Sequence, residues 1–238
     1  VTLDELPLIL LALTAAAAAS WLLTPLAMRL ARASGAIDEP DSGRRVHSRA
    51  IPRAGGLAVV LAFVGVVVVA LILNVAGTTS AGRPILRVPA GSLNDSQLLA
   101  LTAGALIGAA LGFVDDRLQI RARWQLIAQV GLALFAVWLG VSIEEINNPL
   151  DFLGGFLAAP TIAFAGPAAA LVTVLWIVGM INSINFIDGL DGLSAGVALI
   201  AALTLGVISL EQGVGSYAPM VALLCAALAG SLAGFLPW

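Results

Sequence analysis

Four acidic side chains carry the chemistry this sequence could perform: Asp115, Asp116, Asp188 and Asp191. The last two lie in the run Asn182-Ser-Ile-Asn185-Phe-Ile-Asp188-Gly-Leu-Asp191-Gly-Leu-Ser194, where two amides and two carboxylates recur at every third residue between long apolar segments. Asp115 and Asp116 close another apolar segment. Acids are costly at a membrane boundary and usually mark a functional site there. Four converging carboxylates cannot all stay ionised without a cation. A hard ion such as Mg²⁺ suits them, because it binds through a few carboxylates and completes its shell with substrate phosphates. Taken singly, each acid could equally cap a helix end or pair with an arginine. The two pairs together, with Asn182 and Asn185 between them, point to a site for a divalent cation and phosphate.

The three-residue spacing is not a helical face. Successive members drift by about 60° around an ideal helix axis, and Gly189 and Gly192 favour turns over helix interiors. The run therefore predicts a helix end that opens into a turn before the next apolar segment. Such a turn can aim side chains and backbone N–H groups at one anion. Positive charge comes from the stretch 35–56, which holds Arg44, Arg45, His47, Arg49 and Arg53 and ends in Gly55-Gly56. Arginine forks match phosphate oxygens, although topology and anionic lipid also account for arginines here.

The elements that must position these groups are membrane helices. Hydrophobic residues make up 60% of the 238-residue chain, charged residues 11%, and the mean hydropathy is +1.04. A soluble domain carries about 25% charged residues. The net charge of -3 gives no reason to expect nucleic-acid binding. The lone Cys225 reads as a small buried hydrophobe. Asp4 and Glu5 precede the first apolar run, which is too long for a cleaved signal and reads as a retained span. Spans of about 20 residues are expected near Leu6–Met28, Ala54–Ala76, Gln97–Val114, Trp124–Ser142, Pro167–Ile184, Leu193–Leu210 and Tyr217–Pro237. The fold class is thus an all-α polytopic membrane protein with about seven spans, in a single transmembrane domain over 1–238. Arg29, Arg32, Arg44, Arg45, Arg49, Arg53, Arg117, Arg121 and Arg123 fall on one side and only Arg83 and Arg87 on the other. The richer side is expected in the cytoplasm, which puts the N-terminus outside and both acidic clusters at the cytoplasmic face. Gly104, Gly108 and Gly112 form a small-residue stripe predicted to let a neighbouring helix approach closely.

The motif N-x-x-N-F-x-D-G-x-D-G-L at 182–193 resembles the signature of the polyprenyl-phosphate N-acetylhexosamine-1-phosphate transferases. G-F-V-D-D-R at 112–117, the stretch Arg123–Gln129 beside Trp124, and I-D-E-P-D-S-G-R-R-V-H-S-R-A-I-P-R-A-G-G at 37–56 follow in family order. The last stretch is similar to the bacterial branch that starts teichoic-acid, O-antigen or arabinogalactan-linkage synthesis. The resemblance implies transfer of a sugar 1-phosphate from a UDP-N-acetylhexosamine, GlcNAc being the expected sugar, to a polyprenyl phosphate such as undecaprenyl phosphate, with release of UMP. It implies Mg²⁺, or Mn²⁺ in its place, held by Asp115, Asp116, Asp188 and Asp191. Asp115, Asp116 and Asp188 become the expected catalytic residues, with Asp115 deprotonating or orienting the lipid phosphate. Asn182, Asn185, Asp191, His47, Arg53 and Arg123 become the expected substrate-binding residues. A bacterial inner-membrane location follows, and a homodimer is compatible with it. The family pattern continues beyond the point where this sequence stops, so the chain is expected to be the N-terminal part of a longer transferase. Two other classes compete: an ion-coupled transporter, which predicts acids near mid-span, and a non-catalytic membrane scaffold.

Overall fold

The computed structural model describes residues 6–35, 37–38, 51–52, 55–76, 95–148, 160–190, 192–212 and 218–238. The described residues form seven helices: α1 (Leu6–Ser34), α2 (Gly55–Ala76), α3 (Asp95–Leu118), α4 (Ala122–Trp138), α5 (Pro167–Ile187), α6 (Leu193–Gln212) and α7 (Ala218–Phe235). Long apolar segments become helices because a bilayer offers no water to satisfy backbone N–H and C=O groups. Local signals set their ends. Pro167 opens α5 at a position where a missing N–H costs nothing. It follows Gly166, whose φ is 51°. Gly140, with φ 88°, turns the chain after α4. Helices α1, α2, α3, α5 and α6 are long and apolar enough to cross a membrane, while α4 and α7 are apolar but shorter. The protein is an all-α, multi-pass membrane protein.

Two short antiparallel ribbons complete the described structure. Strand β1 (Ile37–Asp38) pairs with β2 (Ile51–Pro52), tying together the two ends of the connection between α1 and α2. Strand β3 (Glu145–Asn147) pairs with β4 (Thr161–Ala163), with Ile146 opposite Ile162.

The packed core is built by α1, α2 and α7, where Leu8 and Ala12 meet Phe63, Val67, Leu223 and Ala227. Helix α6 joins it through Ala195 against Val59 and Leu232. Among the described glycines, the tightest backbone approach is between α1 and α7. A Cβ placed on Gly230 would lie 2.0 Å from the Leu13 carbonyl oxygen, and one on Gly234 would lie 2.1 Å from that of Ala17. Without side chains at these two positions, one turn apart, the backbones come into direct contact.

The expected stripe on α3 behaves differently. A Cβ on Gly104 or Gly112 would meet nothing within 4 Å, and one on Gly108 would reach only Leu132 Cδ2 at 3.7 Å. These glycines do not seat a neighbouring helix. Gly108 and Gly112 instead help line a groove, so the missing side chains widen a space rather than close one. That groove arises because α3, α4 and α5 form an arm beside the core: α3 packs on α2, α4 packs between α3 and α5, and α5 touches α6 only lightly.

Candidate active site

The groove between α2, α3, α4 and α5 has a volume of about 770 Å³. Most of its wall is apolar, including Val60, Leu132 and Ile181. Its polar groups are Asp115 and Asp116 from α3, Gln125 and Gln129 from α4, and Asn185 and Asp188 from the end of α5. The C-terminal end of α3, the N-terminal ends of α2 and α4 and the C-terminal end of α5 therefore meet around one space. The end of α7 lies nearby, with Phe235 against Gly55 and Leu236 3.3 Å from a Cβ on Gly192. Asp115, Asp116 and Asp188 thus fall at the same end of the bundle.

Asp115 and Asp188 are held by hydrogen bonds from nearby residues. Helix α3 ends in a tight turn in which Gln119 adopts φ 47° and donates its N–H to the Asp115 carbonyl at 2.8 Å. The turn also brings the Ile120 N–H to Asp115 Oδ1 at 3.0 Å, so this carboxylate does cap the helix end. The same oxygen accepts a second bond, from Gln125 Nε2 at 2.6 Å. Asp188 follows the last residue of α5, where its N–H reaches the Asn185 carbonyl at 3.3 Å. Its Oδ1 accepts the Ser194 hydroxyl at 2.7 Å, which ties the turn to the first residues of α6. Gly192, with φ 73°, takes the left-handed conformation that the turn needs. Glycine adopts it without steric cost. The expected helix-then-turn conformation of 182–192 is present, with Asp191 outside the described residues.

Asn182 sits one and a half turns earlier on α5. Its Nδ2 donates to the Val178 carbonyl at 2.8 Å and to Gln129 Oε1 at 2.6 Å. Arg123 is exposed at the start of α4, with its guanidinium 5.8 Å from the Trp124 ring centre. That separation is within cation–π range. His47 and Arg53 lie outside the described residues, as do Arg44, Arg45 and Arg49. Of the expected site residues, the groove thus gathers Asp115, Asp116, Asn185 and Asp188 on its wall, and Asn182 reaches that wall through Gln129.

Sequence reasoning gave Gln125, Gln129 and Ser194 no role of their own: the glutamines lie in the quoted stretch Arg123–Gln129, and Ser194 ends the run from Asn182. The glutamines did leave a signal: two amides four residues apart share one face of an otherwise apolar helix. Ser194 was visible only as a small polar residue ending the motif.

The donor chemistry, carboxylates backed by amides, fits a hard divalent cation that also binds phosphate. Among the described residues no three acid, histidine or cysteine side chains gather closely enough to hold a metal ion by themselves. An ion held here needs its remaining ligands from substrate phosphate, water or residues outside those described.

A helical membrane protein with carboxylates and amides at one end of an otherwise apolar groove is suited to chemistry on an amphiphilic phosphate. Residues 98–238 match the family model of Glycosyl transferase family 4, and the chain belongs to that family. It is 33% identical over 195 residues to the probable undecaprenyl-phosphate N-acetylglucosaminyl 1-phosphate transferase of Bacillus subtilis, covering 81% of this chain and 46% of that protein. It is 34% identical over 245 residues to the decaprenyl-phosphate N-acetylglucosaminephosphotransferase of Mycobacterium tuberculosis, covering 100% of this chain and 54% of that protein. The Mycobacterium leprae protein of the same name is 33% identical over 203 residues, 82% of this chain and 45% of that protein. The chain spans about half the length of these curated relatives.

Proposed function

We propose that the protein transfers N-acetylglucosamine 1-phosphate from UDP-N-acetylglucosamine to a polyprenyl phosphate. An oxygen of the lipid phosphate forms a bond to the β-phosphorus of the donor. The bond from the β-phosphorus to the bridging oxygen breaks, and UMP leaves carrying that oxygen. The observation that carries this reading is the amphiphilic groove, in which Asp115, Asp116, Asn185 and Asp188 stand at one end of a long apolar wall. A prenyl chain fits the wall, and its phosphate then lies at the polar end. The names of the relatives supply the sugar and the lipid class.

Phosphoryl transfer depends mainly on positioning and charge neutralisation. Asp115, Asp116 and Asp188, with Asp191, would hold Mg²⁺ or Mn²⁺. When bound, the cation supplies charge neutralisation at the diphosphate. Asp115 orients the lipid phosphate from a carboxylate fixed at Oδ1 by Ile120 and Gln125. Asp188, fixed by Ser194, does the same for the nucleotide side. Asn185 donates to phosphate, and Arg123, Arg53 and His47 contribute positive charge or donors to the substrate.

The same reading places seven spans across a bacterial inner membrane, with the N-terminus outside and the groove's polar end at the cytoplasmic face, where nine of the eleven arginines lie. UDP-sugars are made in the cytoplasm, which agrees with that placement. An ion-coupled transporter is disfavoured because the acids lining the groove sit at helix ends rather than at mid-span.

The test is UMP release by the protein in its full natural length, given UDP-N-acetylglucosamine, undecaprenyl phosphate and Mg²⁺ in detergent. Asp115→Asn and Asp188→Asn should each lower the rate at least about 100-fold, the scale of losing a preorganised electrostatic group, while melting like the wild type. Near-wild-type turnover in both variants overturns the site assignment.

A further inference from the structure

Two amides stand one turn apart on α4, and each is committed to a different neighbouring helix. Gln125 Nε2 donates to Asp115 Oδ1 on α3 at 2.6 Å, and Gln129 Oε1 accepts from Asn182 Nδ2 on α5 at 2.6 Å. The polarity of both contacts follows from the partners. A carboxylate offers Gln125 only acceptors, so Gln125 must donate. Asn182 is fixed by a second contact, with the Val178 carbonyl 2.8 Å away. A carbonyl can only accept, so it takes the nitrogen end of the amide. Gln129 must then turn its oxygen to Asn182. Two residues of the same type, on the same face of one helix, act with opposite polarity.

This arrangement bears on geometry. Buried or lipid-facing amides are costly without a partner, and each of these spends its hydrogen bond on a group of the candidate site. With Ile120 and Gln125 both bonded to Oδ1, the Asp115 carboxylate plane is set, and with it the direction of the second oxygen. We propose that Gln125 and Gln129 are positioning residues of the transfer site: Gln125, as a donor, holds the Asp115 carboxylate, and Gln129, as an acceptor, holds the Asn182 amide. Helix α4 thereby fixes the two sides of the groove, α3 and α5, relative to each other. The inference rests on the transferase reading above.

Isosteric glutamates separate this role from simple packing. At position 125 an ionised glutamate cannot donate and sets one carboxylate against another. At position 129 a glutamate still accepts from Asn182. In the protein of full natural length, assayed for UMP release with UDP-N-acetylglucosamine and undecaprenyl phosphate, Gln125→Glu should lower kcat about 100-fold, the scale of a small misplacement of a reacting group. Its KM for the UDP-sugar should stay within about twofold, because the effect falls on the reacting geometry rather than on binding. Gln129→Met, which removes the acceptor from Asn182 without adding charge, should lower kcat about tenfold, and Gln129→Glu, which keeps an acceptor, should lose less than Gln129→Met. An unchanged kcat for Gln129→Met, or a Gln129→Glu that loses more than it, overturns the proposal, as does a wild-type rate for Gln125→Glu. Where that variant melts early, Gln125→Met, similar in length and uncharged, replaces it with an expected kcat loss of about tenfold, and an unchanged kcat overturns the proposal. Absence of transfer by the wild-type protein itself overturns the underlying reading, and the inference falls with it.

Discussion

Replacing Gly230 by alanine adds one methyl group where α7 touches the backbone of α1. That methyl would lie 2.0 Å from the Leu13 carbonyl oxygen, 2.8 Å from its carbon and 3.0 Å from the Leu13 Cα. Ordinary contact begins near 3.4 Å. The helices must therefore part by more than an ångström, or the chain must bend. Backbone atoms cannot rotate aside as a side chain can. Gly234 faces the Ala17 carbonyl in the same way at 2.1 Å, one turn along both helices. Overpacking of this kind costs about 1–3 kcal/mol. Separation also loosens the neighbouring α1–α2–α7 contacts around Ala12 and Ala227. Against this stands a gain of up to about 1 kcal/mol in helix propensity from glycine to alanine. The net expectation is a loss of about 1–2 kcal/mol for Gly230→Ala. The double variant with Gly234→Ala should lose less than the sum of the two singles, because one separation relieves both clashes. Gly104→Ala and Gly112→Ala are the controls: each methyl meets nothing within 4 Å, so each should be neutral or stabilising. Reversible unfolding in mixed detergent, followed by circular dichroism, reads all five variants. A neutral Gly230→Ala, or a Gly104→Ala that costs as much, refutes the helix-contact argument.

Other outcomes follow from the site and its orientation. A cysteine introduced at Asn148, after β3, should react with impermeant maleimide in intact cells, and one at Arg121, in the turn between α3 and α4, only once the cells are opened. Labelling of both from one side contradicts the orientation. Chelation by EDTA should stop UMP release and added Mg²⁺ should restore it, and turnover unaffected by EDTA contradicts the proposed cation. The paired losses at Asp115 and Asp188, and the contrast between Gln129→Met and Gln129→Glu, are tested in the same assay.

The helices were legible because continuous apolar sequence leaves little alternative in a membrane, and the described helix positions agree with the expected spans to within several residues. The differences have local causes. Helix α1 runs on to Ser34, past Met28, because a helix need not stop where its residues become charged and Arg29 and Arg32 extend it without strain. Helix α4 stops at Trp138, short of Ser142, because Gly140 turns the chain in a left-handed conformation. The β3–β4 ribbon left little trace, since three-residue strands carry no measurable periodicity. Glycine spacing misled: the regular stripe on α3 borders an open groove, whereas Gly230 and Gly234, within an alanine-rich segment, make the tightest contact. Spacing shows that a close approach is allowed, but the partner helix decides whether it occurs.

At the site, the acids and asparagines were legible because polar groups are conspicuous in apolar sequence. Their supports were not. Gln125 and Gln129 lay within a quoted motif stretch but had no role until the fold brought Asp115 and Asn182 within 2.6 Å of them. A hydrogen bond between residues 53 positions apart leaves no sign in a local pattern. The stretch with His47 and Arg53 and the motif residue Asp191 lie outside the described residues, so their expected roles rest on the family resemblance.

The central claim is that a sugar moves together with its phosphate onto a membrane lipid. Its most direct test uses UDP-N-acetylglucosamine labelled with 14C in the sugar and 32P at the β-phosphorus, given to the full-length protein with undecaprenyl phosphate. Both labels should appear in the lipid fraction at the donor's own ratio, with unlabelled UMP released, and both should disappear in Asp188→Asn. Sugar label reaching lipid without 32P, or no label reaching lipid at all, would contradict the account.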